Sequence, residues 1–334
     1  MDEKTNPVRW GVLGVAGIAV SKVIPGIQRS ALSRVEAIAS RSASRAEEAA
    51  ARLSIPRWHG SYQDLLDDTA IEAVYIPLPN HLHAEWAMKA AAAGKHVLCE
   101  KPLAMSSAEA KEMVQVAEDA GVRLMEAFMY RLHPLWVEVR RLLAEEAIGD
   151  LHAVQVFFSY FNVNPDDIRN IARFGGGALM DIGCYAVNAI RMLFGNEPTR
   201  VTGAIKRDLG FGTDVMTSAL LEFGERQATL TCSTQLETDQ RVHIHGTTGR
   251  ILVEIPFNIP SDRATRILVA SGGEPPVASD IVVHEVAAAD QYEVQADAFS
   301  RSLREGISVP TPPTDAIANL EVMERIVADA ERSG

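Results

Sequence analysis

The sequence predicts an α/β fold in which an N-terminal doubly wound parallel sheet precedes an α+β domain with a large, open, mostly antiparallel sheet. In residues 8–126, short runs rich in β-branched residues alternate with alanine-rich helical runs, a pattern typical of consecutive βαβ units. From about residue 150, apolar and polar residues alternate in longer runs separated by hairpin turns. A length of 334 residues suits two domains, and we expect them at 1–127 and 128–334.

The first domain is predicted to contain five strands and four intervening helices. The strands are expected at 8–13, 35–40, 73–77, 96–99 and 123–126, and the helices at 17–29, 44–53, 83–93 and 106–120. Ser106 and Glu109 have the spacing of a capping box, which marks the start of the last of these helices. Parallel strands joined in this way place their carboxyl ends along one edge of the sheet.

The second domain is predicted to contain a sheet interrupted by one long helix at about 177–194. Its strands are expected at 154–161, 201–206, 219–223, 228–234, 242–245 and 251–255. The segment 261–276 is the least regular part of the sequence. Two helices, 292–304 and 314–332, close the chain, and we expect the second of them to pack back on the first domain.

The strand 154–161 carries large apolar residues on both faces. One face holds Val154, Val156, Phe158 and Tyr160, and the other holds Phe157 and Phe161. Because one helix covers only one face, we expect a second subunit on the other, giving a homodimer or a dimer of dimers through the open sheet. The alternative is that the terminal helices cover it.

Composition excludes several classes of partner. The formal net charge is −12, so the basic footprint of a nucleic-acid-binding protein is absent, and binding to an anionic membrane is disfavoured. No stretch of about 20 apolar residues predicts a membrane span. The polar, acidic start of the chain does not resemble a signal peptide, and the three cysteines are widely spaced. We therefore expect a cytoplasmic protein.

A glycine-containing loop follows the first predicted strand. Gly14, Val15, Ala16, Gly17, Ile18 and Ala19 open a helix inside a βαβ unit, the context that a dinucleotide-binding loop requires. Gly14 provides the tight turn, and the helix N-terminus faces the pyrophosphate. Alanines stand where the second and third glycines of the motif belong. The sequence therefore predicts a Rossmann domain, with a plain glycine turn as the alternative.

The end of the second strand indicates the form of the cofactor. NAD-binding proteins carry an acidic residue there, about 20 residues past the glycines, whereas this chain has Ser40 and Arg41, with no acid until Glu47. A hydroxyl and a guanidinium bind a 2′-phosphate, and Arg45 offers a second contact. We expect NADP, with NAD as the second choice. The alternative is that Arg41 is a solvated surface residue.

Two motifs carry groups suited to proton transfer. Lys101, in Glu100-Lys101-Pro102, follows the fourth predicted strand, where such sheets bind ligands. Asp181 and Tyr185 are four residues apart and share a helix face. A lysine close to a tyrosine favours its phenolate, which would make Tyr185 a general acid or base. The alternatives are a surface lysine and a core aromatic. A ligand or backbone in close approach would explain Gly183 in the helix.

These motifs, with Gly175–Gly177 and Gly246-Thr247-Thr248-Gly249, resemble the glucose–fructose oxidoreductase / inositol dehydrogenase (Gfo/Idh/MocA) superfamily over nearly the whole chain. Many members carry His where Tyr185 stands. The tyrosine resembles the branch of NADP-dependent xylose dehydrogenases, dimeric dihydrodiol dehydrogenase and sugar 3-ketoreductases. The resemblance implies a sugar oxidoreductase in which Tyr185 donates or accepts the proton, Lys101 positions the substrate, and Asp181 lies near the nicotinamide.

The resemblance also implies a set of binding residues. Cofactor-binding residues beyond the glycine loop are Ser40, Arg41, Arg45, Tyr62, Leu78, Asn80, His83, Glu100, Lys101, Arg169 and Asp181. The sugar is expected to lie against Lys101, Tyr130, Arg131, His133 and Tyr185.

We expect no metal site. His81 and His83 do not face one another on a helix, His243 and His245 have no visible third ligand, and a lysine–tyrosine pair needs no Lewis acid.

The sequence leaves the substrate open. An aldose such as xylose, oxidised at C1, is the first expectation. A ketosugar or nucleotide-linked ketosugar reduced to the alcohol is the second, and a trans-dihydrodiol is the third. A non-catalytic NADP-binding regulator is the alternative of another class, and it would be expected to have lost the lysine–tyrosine pair.

Overall fold

A computed structural model describes residues 6–272 and 280–333. The chain divides into two compact units. The first comprises the residues up to Met129 together with Asp290–Ile317, and the second comprises Tyr130–Ala289 together with the residues from Ala318 onward.

The first unit is built on six parallel strands. They are β1 (Val8–Leu13), β2 (Ser33–Ala39), β3 (Arg57–His59), β4 (Ala73–Ile76), β5 (His96–Cys99) and β6 (Leu124–Glu126). The strand order β3-β2-β1-β4-β5-β6 is that of a Rossmann sheet, which confirms the predicted fold class. Sequence reasoning missed β3 because its three residues, Arg-Trp-His, are half-buried or exposed and show no apolar pattern.

Helices connect these parallel strands as βαβ units. A π-helical turn, Ala19–Val23, continues into α1 (Ile24–Arg29). The remaining helices are α2 (Ala43–Leu53), α3 (Tyr62–Leu66), α4 (His83–Ala92) and α5 (Ser107–Asp119). The Ser106 hydroxyl accepts a hydrogen bond from the Glu109 amide at 3.2 Å, as the predicted capping box requires.

In its described residues, the second unit contains an eight-stranded sheet, and its helices include α6 (Pro134–Ala144) and α7 (Cys184–Phe194). The strand order is β14-β13-β12-β11-β7-β10-β9-β8, and only β7 and β10 pair in parallel. The strands are β7 (Leu151–Phe161), β8 (Arg200–Arg207), β9 (Asp214–Phe223), β10 (Arg226–Ser233), β11 (Gln235–Gly246), β12 (Gly249–Val253), β13 (Thr265–Ser271) and β14 (Ile281–Val286).

The expectation of irregular structure at 261–276 was wrong for its central part. Residues 265–271 form β13, whose hydrogen bonds are supplied by β12 and β14 on either side. Residues 273–276 lie outside the described part of the chain. The strand therefore depends on hydrogen bonds to other strands, which the pattern of residues within one segment does not reveal.

Two helices close the chain, α8 (Gln291–Glu305) and α9 (Pro313–Ser333). Helix α8 belongs to the first unit, where Phe299 packs against Trp10 of β1 with ring centroids 5.3 Å apart. The contacts of α9 from Ala318 onward lie in the second unit. There Ile326 packs against Gly203 of β8, and the Asp329 carboxylate accepts a hydrogen bond from the Gly203 amide at 2.9 Å.

The two faces of the second sheet differ. Val154, Val156 and Phe158 are buried on the face that carries α7. Across neighbouring strands, Val156 pairs with Leu230, Leu230 with Ala219, and Ala219 with Gly203, so Gly203 and its α9 contacts lie on the same face. On the other face, Phe157 is half-buried and Phe161 is 64% exposed. The contacts of α9 therefore lie on the α7 side of the sheet.

One helical run in the described residues, Ala172–Phe194, is long and apolar enough to cross a membrane. It includes α7, and most of it is buried inside the second unit. This is the behaviour of the core helix of a globular domain.

Candidate active site

The loop after β1 has the backbone geometry of a dinucleotide-binding turn. Gly14 has φ = +123°, a region that L side chains rarely adopt, and an added Cβ would lie 3.0 Å from Leu78 Cδ2. Its amide donates to the Ala39 carbonyl at 2.9 Å, which ties the turn to the end of β2. Gly17 is exposed, and among the described residues beyond its chain neighbours no atom lies within 4 Å of the position where a Cβ would stand. The loop therefore leaves open space beside the start of the helix.

The end of β2 presents two guanidinium groups. Arg41 and Arg45 are exposed, and the Ser40 hydroxyl accepts a hydrogen bond from the Ser42 amide at 3.2 Å. Arg45 lies in the first turn of α2. Burial raises the pKa of Tyr62, and interactions with Arg41, followed by the charge of Arg45, oppose this rise. Tyr62 therefore lies close to Arg41 and remains a neutral phenol.

Trp86 was not predicted from the sequence. Its ring packs edge-to-face against Tyr62, with centroids 4.9 Å apart. This contact supports the tyrosine that lies close to Arg41. No local motif marks Trp86, because the contact joins α3 to α4.

His83 joins two loops at the carboxyl edge of the sheet. It is fully buried, with Nδ1 2.8 Å from the Pro102 carbonyl oxygen and Nε2 2.7 Å from the Leu78 carbonyl oxygen. Burial lowers the pKa of His83 to about 4. A neutral imidazole carries one N–H and so donates to only one of the two carbonyls. Because both nitrogens face the main chain, His83 fixes the loops that carry Leu78, Asn80 and Lys101.

Lys101 lies directly beyond β5, half-buried. The preceding carboxylate, Glu100, accepts a hydrogen bond from the buried Tyr75 hydroxyl at 2.7 Å. Burial, and then the charge of Glu100, raises the pKa of Tyr75, which keeps its hydroxyl a donor. The Leu103 amide donates to Glu126 Oε1 at 2.8 Å. The strand end and the loop after it are thus held on both sides of Lys101.

In the second unit, three glycines precede the helical segment that carries Asp181 and Tyr185. Gly175 has φ = +78°. A Cβ on Gly176 would lie 2.4 Å from the Arg169 carbonyl oxygen, and a Cβ on Gly177, at φ = +122°, would lie 2.0 Å from Asp214 Oδ1. Each glycine is therefore required by a positive φ or by a close contact.

Asp214 caps the start of this segment and was not predicted from the sequence. Its Oδ2 accepts hydrogen bonds from the Leu179 amide at 2.7 Å and from the Thr217 hydroxyl at 2.9 Å. Burial raises the pKa of Asp214, and these two donors oppose this rise. An acid at a helix start is an ordinary cap. This one comes from β9, 35 residues away, so no local motif reveals it.

The helix begins as a π-helical turn, Leu179–Gly183, and continues as α7. Asp181 lies in the π turn, where Oδ2 accepts from the Tyr160 hydroxyl at 2.6 Å and from Arg169 Nε at 3.1 Å. Single π turns inside helices are frequent at functional sites. A Cβ on Gly183 would lie 2.8 Å from Leu179 Cδ1 and 2.9 Å from Cys232 Sγ. The nearest described neighbours of Gly183 are therefore side chains, whereas we expected a ligand or backbone there.

Tyr185 is 5% exposed and lies within an aromatic cluster. Its ring centroid is 5.8 Å from that of Tyr130, 5.9 Å from Phe158 and 5.4 Å from Phe257. The ring is therefore packed against aromatic rings from several elements of the second unit.

The expected sugar-binding residues at 130–133 differ in exposure. Tyr130 and His133 are fully buried. The Tyr130 hydroxyl donates to Asn188 Oδ1 at 2.6 Å, and His133 Nδ1 accepts from the Leu135 amide at the start of α6. Arg131 is half-buried, and its Nη1 donates to Asn188 Oδ1 at 3.2 Å. Asn188, which sequence reasoning missed, thus anchors two of these residues to α7.

Among residues 6–272 and 280–333, no group of three His, Cys, Asp or Glu side chains is arranged to hold a metal ion. The rings of His243 and His245 stack with centroids 6.2 Å apart. Burial lowers the pKa of both histidines.

Comparison with known proteins gives the family. Residues 8–128 match the model of the GFO/IDH/MocA oxidoreductase family with an NAD-binding Rossmann fold, and residues 136–252 match the GFO/IDH/MocA C-terminal domain. The chain belongs to the GFO/IDH/MocA family. The resemblance predicted from the sequence is thereby confirmed.

Several characterised members of the family are similar over most of the chain. A D-xylose 1-dehydrogenase (NADP(+)) from Haloferax volcanii is 39% identical, over 96% of this chain and 95% of the relative. A trans-1,2-dihydrobenzene-1,2-diol dehydrogenase from Sus scrofa is 34% identical, over 76% of each. The crystal structure of a 3-ketoreductase from Actinomadura kijaniata, in complex with NADP and TDP-benzene, gives a TM-score of 0.90 at 30% identity, covering 97% of this chain and 98% of that one.

Proposed function

We propose that this oxidoreductase uses NADP to move a hydride between the nicotinamide and a sugar carbon that bears a hydroxyl or carbonyl group. The observation that carries the cofactor assignment is a pair of exposed guanidinium groups, those of Arg41 just beyond β2 and Arg45 in the first turn of α2. Two guanidinium groups favour a 2′-phosphate, whereas the acid of NAD-binding proteins would repel it. The relatives that carry NADP in their names or structures support the same choice.

The glycine loop fits the rest of such a cofactor. The positive φ of Gly14 turns the chain at the carboxyl edge of the sheet, and the open space beside Gly17 allows a pyrophosphate to approach the backbone. The bound cofactor supplies the hydride chemistry at its nicotinamide C4. The protein supplies binding, orientation and the proton.

Tyr185 is the proposed proton donor and acceptor. The packing of its ring fixes the direction of its hydroxyl, which is proposed to exchange a proton with the reacting oxygen of the substrate. Lys101 is proposed to contact the same oxygen, where its ammonium group would favour the phenolate form of Tyr185 during proton transfer. Asp181 is proposed to orient the reacting groups. Arg131 is proposed to bind the sugar. Tyr130 and His133 are buried and are proposed to support the residues that contact the sugar.

An aldose oxidised at C1 is the proposed substrate. The relative named as a xylose dehydrogenase aligns over nearly the whole chain and supports it. The second candidate is reduction of a ketosugar, which the similarity to the 3-ketoreductase structure favours. The net charge of −12 does not attract the phosphates of a nucleotide sugar, so we place the neutral sugar first.

A substrate screen tests this proposal. NADPH formation at 340 nm is followed with a panel of aldoses and a trans-dihydrodiol, and NADPH consumption is followed with ketosugars and a nucleotide-linked ketosugar. We expect turnover of an aldose. Turnover of a ketosugar alone would select the second candidate, and binding of NADPH without turnover of any compound would favour a regulator.

Two substitutions test the chemical roles. We expect Lys101→Met and Tyr185→Phe each to suppress turnover strongly while leaving the Kd for NADPH nearly unchanged, because neither side chain is proposed to hold the cofactor's phosphates. Fluorescence titration measures the Kd, and the 340 nm assay measures turnover. Full activity in both variants would exclude this assignment.

Arg41→Ala tests the choice of cofactor. We expect it to weaken NADP binding at least tenfold more than NAD binding, because one charge-assisted hydrogen bond corresponds to roughly 10-fold or more. Arg52, exposed in the last turn of α2, provides the control Arg52→Ala. Equal losses for NADP and NAD in Arg41→Ala would remove the 2′-phosphate role.

A second subunit is proposed to cover the open face of the second sheet. Phe161 is 64% exposed on that face, whereas the described contacts of α9 lie on the other. We expect a homodimer or a dimer of dimers in size-exclusion chromatography with light scattering, and Phe161→Asp should weaken it. A monomeric wild type at micromolar concentration would refute this. The three free, buried cysteines suit the cytoplasm proposed as its location.

A further inference from the structure

The carboxylate of Asp181 is held by two donors of the second unit that reach the same oxygen. The Tyr160 hydroxyl donates to Oδ2 at 2.6 Å, and Arg169 Nε donates to it at 3.1 Å. The Asp181 side chain is only 13% exposed. Two donors on one oxygen fix the direction of a carboxylate and stabilise its charged form.

The chain brings these donors together from separate elements. Tyr160 comes from β7. Arg169 comes from a 3-10 turn, Ile168–Asn170, whose main chain is locked to the start of the helix because the Gly177 amide donates to the Arg169 carbonyl at 2.9 Å. The Asp181 amide in turn donates to the Gly177 carbonyl at 3.0 Å. The glycine run therefore keeps the Arg169 guanidinium and the Asp181 carboxylate in register.

Asp167 and Cys232 are further titratable groups near Asp181. Asp167 accepts a hydrogen bond from Arg169 Nη1 at 3.3 Å, so the positive charge of Arg169 faces both carboxylates. Burial raises the pKa of the Cys232 thiol well above its usual value, so the thiol is neutral. Burial and the adjacent carboxylate raise the pKa of Tyr160 far above its usual value, which keeps its hydroxyl a donor.

We infer that Tyr160 and Arg169 are positioning residues that hold Asp181 charged and aimed during proton transfer. Arg169 then acts through Asp181, in place of the direct cofactor contact that the family resemblance implies. This inference rests on the proposed function, in which Asp181 stands one helical turn before Tyr185. It assigns a role to Tyr160 that no sequence motif indicated.

Three variants test the inference: Tyr160→Phe, Arg169→Lys and the control Arg173→Lys. Arg173 lies in the same loop, with its guanidinium 4.7 Å from the centre of the Phe174 ring. In the first two variants we expect kcat to fall about 10-fold to 100-fold, the range for one hydrogen bond to a charged group. The acid limb of the pH profile is expected to move to higher pH, because the charged carboxylate has lost a donor.

The remaining readouts separate this role from the alternatives. We expect the Kd for NADPH to stay within twofold of wild type in both variants, and all parameters to be unchanged in Arg173→Lys. A tenfold weaker NADPH affinity in Arg169→Lys with unchanged kcat would assign Arg169 to the cofactor and overturn the inference. A lower Tm with an unmoved pH profile in Tyr160→Phe would reduce Tyr160 to a structural contact.

Failure of the proposed function would be seen separately, as a wild type that turns over no substrate. The inference would then be decided by a crystal structure of Tyr160→Phe. A rotated Asp181 carboxylate supports positioning, and an unchanged carboxylate overturns it.

Discussion

Replacing Gly177 by alanine tests how tightly the start of the helical segment that carries Asp181 and Tyr185 is built. Gly177 has φ = +122°, and an alanine Cβ would lie 2.0 Å from Asp214 Oδ1. Asp214 cannot move without losing its hydrogen bond to the Leu179 amide. The substitution therefore affects the backbone, the buried carboxylate and the helix cap at once.

The expected cost follows from these contacts. A non-glycine residue in such a region of φ costs about 1–3 kcal/mol, and loss of a carboxylate cap costs about 0.5–2 kcal/mol more. A total near 3 kcal/mol results. For a unit of about 150–250 residues, each kcal/mol moves the Tm by roughly 2–4 °C, so we expect a decrease of about 6–12 °C.

Circular dichroism during heating measures this decrease, with Gly195→Ala as the matched control. Gly195 also has a positive φ, +69°, but apart from its neighbours in the chain no atom of the described residues lies within 4 Å of its Cβ position. Alanine there is expected to cost only about 1 kcal/mol. Turnover should fall in Gly177→Ala and persist in Gly195→Ala. Equal decreases in Tm would show that the Asp214 contact contributes nothing and would refute the reasoning.

Two further predictions concern the first unit. Gly17→Ala should leave the Tm within about 2 °C of wild type, since its Cβ enters open space, but weaken NADPH binding; unchanged fluorescence titrations would show that no ligand approaches there. Burial lowers the pKa of His83 to about 4, whereas an unfolded histidine titrates near ~6.5. The unfolded state then binds more protons between these values, so stability should fall as pH drops from about 6.5 to about 4, by roughly 3 kcal/mol. His83→Asn should lack this pH-dependent contribution to the free energy of unfolding, which urea unfolding at several pH values measures. If the free energy of unfolding depended equally on pH in both proteins, this would indicate an imidazolium held by both carbonyls.

Local patterns account for much of the first unit. Strand 8–13 and strand 96–99 were predicted with their observed bounds, and the cap at Ser106 was confirmed. These elements are determined by nearest neighbours in sequence: β-branched runs, turn glycines and capping side chains. The glycine loop and the Ser40-Arg41 pair could be recognised for the same reason.

Local patterns predict less of the second unit. Strands β13 and β14 depend on partners supplied by pairing along the sheet, which an alternation pattern in one segment cannot specify. The glycine run was recognised as a motif, but the contact with Asp214 on β9 that requires Gly177 was not. Tyr160 was predicted only to lie on one face of a strand, and no local pattern indicates its hydrogen bond to Asp181.

The Rossmann fold class and the family followed from the sequence alone, and so did the prediction of the cofactor loop and of the groups proposed to move the proton, because each depends on a short run of residues. How those groups are held is visible only in the folded chain. The cap from Asp214, the donors Tyr160 and Arg169 on Asp181, and the His83 bridge join residues of different strands, helices and loops. Such contacts arise from packing and burial, which a linear pattern does not encode.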